Sequence, residues 1–103
     1  MSIPAVLTPR AQRELDKALR SIAADNVAAA RAMNDAVLLA ARRLGANPLL
    51  GDVRPGLPPR YRFWSLTRYS YVLVYDPSKM PVRIVRVLHT ARDLPRLLTS
   101  KRS

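Results

Sequence analysis

The spacing of apolar residues changes once along this chain, and that change restricts the fold more than any other feature. Up to Gly45, apolar residues recur every three or four positions. From Tyr61 to His89 they form short runs of Val, Ile, Leu and Tyr broken by turn residues. The first pattern is one face of a helix and the second belongs to strands. Between them, Asn47-Pro48, Gly51-Asp52, Pro55-Gly56 and Pro58-Pro59 make a long connection that its prolines restrict.

The elements follow from that division. Ile3 to Leu7 reads as a short strand, limited by Pro4 to an edge or a strand start. Thr8-Pro9 is a helix start, a Thr cap followed by Pro at the first helical position. Ala11, Leu15, Ala18, Leu19 and Ile22 carry the helix to Ala23 or Ala24. Asp25-Asn26 caps a second helix, with Val27, Ala30, Val37, Leu38, Ala41 and Leu44 as its stripe and Gly45 as its expected stop. The joint is short, so the two helices form an antiparallel hairpin.

Tyr61–Leu66, Tyr69–Tyr75 and Val82–Leu88 then read as an antiparallel meander, with turns at Thr67-Arg68 and Asp76-Pro77-Ser78-Lys79. A last short helix starts after Asp93, and Thr99 to Ser103 reads as a polar basic tail. The expected fold is α+β in the order β-α-α-β-β-β-α, an antiparallel sheet with an N-terminal αα-hairpin packed on one face. The 103 residues make one domain, 1–103.

Neither long strand alternates cleanly. In 69–75, Tyr69, Tyr71, Leu73 and Tyr75 share one face, and Ser70, Val72 and Val74 the other. In 82–88, Val82, Ile84, Arg86 and Leu88 oppose Arg83, Val85 and Val87. A sheet covered on one side only should show a polar second face. A half-apolar, half-basic face points instead to cover from a partner chain.

Composition narrows the chemistry. The chain has no cysteine and one histidine, which excludes a disulfide framework, a Cys-based zinc site, a thiol nucleophile and a His-rich metal site. No segment has the length of a membrane span, and the N-terminus lacks the basic start and apolar run of a secretory signal. A cytoplasmic location, no membrane partner and no cofactor are therefore expected. The net charge is +11. Residues 1–59 carry 8 basic and 5 acidic side chains, and residues 60–103 carry 10 and 2. The second half is thus the expected partner-facing surface, and the partner is acidic.

The element order, the "RYRFW" that ends the Pro/Gly connection, the Tyr-rich "YSYVLVY" and the closing "RIVRVLHTARDL" together resemble the RelE/ParE superfamily of bacterial type II toxins. The likeness is greatest to the ParE-like, plasmid-stabilisation branch. It runs over about residues 5 to 98, with Arg86 to Asp93 the most specific part and "LTPRAQRELDKA" in support. The resemblance implies a toxin encoded beside an antitoxin whose C-terminal segment wraps and neutralises it. It also implies one of two targets. ParE-type members poison DNA gyrase, and RelE-type members cleave mRNA in the ribosomal A site. The fold does not choose between them.

RNA cleavage would need positioned cations and a group that moves a proton. The resemblance offers Arg62, Arg86 and His89, with Arg86 on phosphate charge and His89 as acid or base. Against this, no lysine lies between Arg54 and Arg68, where many RelE-type members carry basic catalytic residues. His89 can instead bond backbone at the strand end with Asp93 as a second partner, Arg86 can pair with Asp93 or Asp76, and Arg92-Asp93 can start the last helix. No catalytic residue is assigned on this reading. Arg62, Arg68, Arg83, Arg86, His89 and Arg92 are target- or partner-binding candidates. Leu15, Leu19, Trp64 and Tyr71 are candidates for an antitoxin groove filled by an acidic or amphipathic segment. The expected function is a ParE-like gyrase inhibitor. The alternatives are a ribosome-dependent mRNA endonuclease and a member that only binds its antitoxin.

Overall fold

The structure, a computed structural model, describes residues 2–99. Its elements are β1 (Val6–Leu7), α1 (Pro9–Ala23), α2 (Val27–Ala46), β2 (Arg62–Leu66), β3 (Tyr71–Asp76), β4 (Arg83–His89) and α3 (Leu94–Thr99). A 3-10 turn at Thr67–Tyr69 links β2 to β3. The sheet order is β1-β4-β3-β2. The β2-β3-β4 meander is antiparallel, and β1 joins the edge parallel to β4. This is the expected α+β order. The basic tail expected at 99–103 lies, beyond Thr99, outside the described residues.

Both long helices begin where their caps put them. Thr8 Oγ1 accepts the Ala11 N–H at 3.2 Å, and Pro9 opens α1 with a nitrogen that has no hydrogen to place. Asn26 Oδ1 accepts the Ala29 N–H at 3.0 Å, so Asn26 and not Asp25 starts α2. Ala11, Leu15 and Ala18 of α1 meet Met33, Val37, Ala40, Ala41 and Leu44 of α2 in one core with Leu73, Tyr75, Ile84 and Val87 of the sheet. The alanines let the helix axes approach closely.

Two boundaries differ from expectation for one shared reason. Gly45 does not stop α2, which continues to Ala46. The segment before β1 crosses that last turn, and the Ala5 N–H donates to Ala41 O at 2.8 Å. A Cβ on Gly45 would collide with the Ile3 carbonyl oxygen and lie 2.8 Å from Pro4 Cα. Glycine is there for close approach rather than as a terminator. Because Ala5 bonds to α2, the strand expected from Ile3 to Leu7 pairs with the sheet only at Val6 and Leu7.

A bulge breaks the alternation of β4. Val74 lies opposite Arg86 while the next residue, Tyr75, lies opposite Ile84, so Val85 is the extra residue. Ile84 and Val87 therefore both face the helices, and Val85 and Leu88 both face away. The second sheet face is closed by the chain itself, against the expectation of a foreign cover. Leu57 and Tyr61 of the Pro-rich connection and Leu94, Leu97 and Leu98 around α3 pack on Phe63, Val72, Val74 and Leu88. Tyr75 ties the connection down: its hydroxyl donates to Pro48 O at 2.7 Å and accepts the Gly51 N–H at 2.8 Å. Burial raises the Tyr75 pKa above its ordinary value, against the lowering effects of the Gly51 N–H and Arg62, which keeps the hydroxyl a donor. Among the described residues no helix is long and apolar enough to cross a membrane.

Candidate partner-binding surface

The surface is organised by an edge that β1 leaves open. β1 pairs only with Arg83 and Ile84, so β4 from Val85 onward needs other partners for its outward groups. Helix α1 supplies them. Thr8 Oγ1 donates to Val85 O at 3.4 Å, and Glu14 Oε1 accepts the Val87 N–H at 2.9 Å. The same carboxylate holds Arg86 from Nε at 3.0 Å and Nη2 at 2.8 Å, both to Oε2. Arg86 is only 8% exposed. Its partner is thus neither Asp93 nor Asp76, as sequence alone proposed. Charge-assisted, two-pronged bonds of this kind fix a guanidinium firmly.

His89, at the end of β4, is exposed. Its Nδ1 accepts the Ala91 N–H at 3.0 Å, so Nε2 carries the ring hydrogen in the neutral form. Its ring meets Tyr71 edge-on at 5.1 Å. Asp93 does not join it: Asp93 Oδ1 accepts the Arg96 N–H at 3.3 Å and caps α3. The cleft beside His89 has a volume of about 240 Å³ and is walled by Lys17 and Ser21 of α1, Tyr71, His89 and Arg92.

The remaining candidates are dispersed. Arg62 Nη1 donates to Gly51 O at 2.7 Å and to Leu49 O at 3.4 Å, holding the connection against β2. Register puts Arg62 level with Tyr75 and His89 level with Tyr71, four residues along β3, so about 13 Å of strand separates the two levels. Arg62, Arg86 and His89 are not brought together. Arg68 is exposed on the turn and Arg83 on β4.

Leu15 is a core residue, 3% exposed. Leu19 lines a groove of about 470 Å³ on the helix hairpin with Ala23, Val27 and Ala30, rimmed by Arg20, Arg31, Asn34 and Asp35. Trp64 and Tyr71 are half-buried against the helix-side core, and neither lines that groove. Sequence reasoning missed Glu14, Val27 and a second basic cleft, of about 330 Å³, that holds Arg10 and Arg60. A signal existed for part of this. Arg10, Glu14, Lys17 and Ser21 recur at helical spacing on one side of α1.

A family model described as "ParE toxin of type II toxin-antitoxin system, parDE" matches residues 5–94. No curated protein matches the chain.

Proposed function

Because the chain belongs to the ParE toxin family of type II toxin–antitoxin systems, we propose that it acts in the cytoplasm by binding DNA gyrase, and that a cognate antitoxin neutralises it by occupying the hairpin groove. What supports binding over RNA cleavage is the state of the arginines. Arg86 is held by Glu14, Arg62 is held by two loop carbonyls, and His89 bonds to the Ala91 N–H rather than to either arginine. A catalytic site would need these groups free and convergent on one phosphate.

The antitoxin part rests on the groove beside Leu19. Its apolar floor includes Val27, a large side chain left 56% exposed. An apolar floor, with Arg20 and Arg31 outnumbering Asp35 on the rim, fits an amphipathic helix with acidic flanks. Gyrase supercoiling tests the target. Purified toxin at stoichiometric excess should inhibit supercoiling or trap cleaved DNA, and no effect on either sinks the gyrase reading. Run in parallel, a purified translation system should show no cuts at the ribosomal A site.

A further inference from the structure

We propose that the two basic clefts flanking the Glu14–Arg86 pair form one track for the phosphodiester backbone of a nucleic acid. On one side of the pair, Arg10 and Arg60 line a cleft of about 330 Å³. On the other, Lys17 and Arg92 line one of about 240 Å³, with the His89 ring in its wall. Arg86 borders the first cleft and Glu14 the second, and they touch at 2.8 Å, so the clefts adjoin. Among the described residues Glu14 is the sole acidic side chain lining either one, and Arg86 neutralises it. The track is therefore not interrupted by net negative charge.

Its cations are open to solvent. Arg10, Lys17, Arg60 and Arg92 are exposed, and none forms an ion pair among the described residues. Arg60 rests on the Tyr61 ring at 4.6 Å and donates to the Tyr61 hydroxyl at 3.3 Å, which orients its guanidinium; Asp76 feels its charge but does not pair with it. Arg10 and Lys17 are seven residues apart on α1, about 10 Å along the axis, far enough to meet different phosphates of one strand. Backbone phosphates are held by such rows of Arg and Lys.

A protein partner fits these clefts less well. Protein interfaces centre on apolar anchors. The exposed large apolar side chains, among them Val27, Leu38, Leu49 and Met80, all lie outside both clefts. The inference takes its setting from the gyrase reading, in which the toxin meets a DNA-engaged enzyme, but its chemistry does not require gyrase.

The test is direct binding of the whole toxin to labelled 20-residue duplex DNA, single-stranded DNA and RNA, followed by fluorescence anisotropy over a salt series without gyrase. The R10A/K17A/R92A variant removes three track cations. The charge-matched control R31A/R42A/R43A removes three exposed cations from α2, away from both clefts. Circular dichroism checks that both are folded. The track variant should bind at least tenfold more weakly, with the slope of log K against log salt shallower by about 2 to 3. The control should change much less. Equal losses in the two variants would overturn the proposal, because net charge alone would then explain binding. Failure of the wild type to bind any of the three nucleic acids also overturns it, as does track-dependent binding of polyglutamate in their place. Track-dependent binding without gyrase inhibition leaves the track standing and removes the gyrase reading. Gyrase inhibition by a wild type that binds none of the three nucleic acids does the reverse. Comparison of the three arms identifies which nucleic acid the track takes.

Discussion

Glu14 accepts bonds from the Arg86 guanidinium and from the Val87 N–H, and the two side chains are 22% and 10% exposed. Glu14→Gln keeps the shape but leaves a mostly buried cation uncompensated. It should cost about 2 kcal/mol, below the range for a fully buried pair because Glu14 retains some solvent. Chemical denaturation of the single variants and of E14Q/R86M measures this, with the double variant recovering part of the loss. Tyr75→Phe deletes one hydroxyl that serves both Pro48 O and the Gly51 N–H. The expected loss is roughly 2 kcal/mol by the same measurement, with mobility appearing first in the connection before β2. Asp76 titrates below its ordinary value. Burial opposes this, but bonds from Ser78 Oγ and N–H, with Lys79 and Arg60 nearby, outweigh it. A lowered folded-state pKa stabilises the protein above the unfolded pKa and ceases to do so as pH falls through the folded one. Asp76→Asn should thus be less stable than wild type at pH 7. The gap should close as pH drops from about 4, a convergence that melting curves across the acid range would reveal.

At the scale of elements, short pieces hold the sheet closed. α3 has six residues, too few to be stable alone, yet Leu94 is 9% exposed and packs with Phe63, Val72 and Val74. Leu94→Ala should cost about 2 kcal/mol and raise binding of an apolar dye as the second sheet face opens. If that face were meant for a partner, the substitution would leave the free toxin's stability unchanged. Gly45→Ala would gain about 1 kcal/mol in an exposed helix interior. Here the crossing Ile3–Ala5 backbone occupies the space, so the change should destabilise by about 2 kcal/mol and detach β1. Loss of hydrogen-exchange protection at Ala5 and Val6 would report it. At the hairpin, Val27→Glu places an acidic group among Arg20 and Arg31. It should leave growth arrest intact while weakening rescue by co-expressed antitoxin.

Over the whole molecule the +11 charge is the dominant long-range term. The described residues show two ion pairs, Arg86–Glu14 and Arg54–Asp52, so most cations face only solvent and one another. Their mutual repulsion weakens with salt. The free toxin should melt several degrees higher in 0.3 M than in 0.02 M sodium chloride, the reverse of what an ion-pair-stabilised protein shows. A flat response would mean that the cations are already neutralised.

The sequence alone determined what depends on local spacing. The helical period, the short apolar runs broken by turn residues, Thr8-Pro9, Asn26 and the Gly/Pro connection specified the elements, their order and the antiparallel meander, since each acts within a few residues. What the sequence could not decide were contacts made across the chain. The Val85 bulge, the crossing over Gly45, the closure of the second sheet face by α3 and the choice of Glu14 for Arg86 all depend on where separate segments meet. Arg86 is read identically in sequence whether it awaits a phosphate or is already paired. Only tertiary structure, bringing α1 against the edge that β1 leaves bare, put a carboxylate within reach 72 residues away.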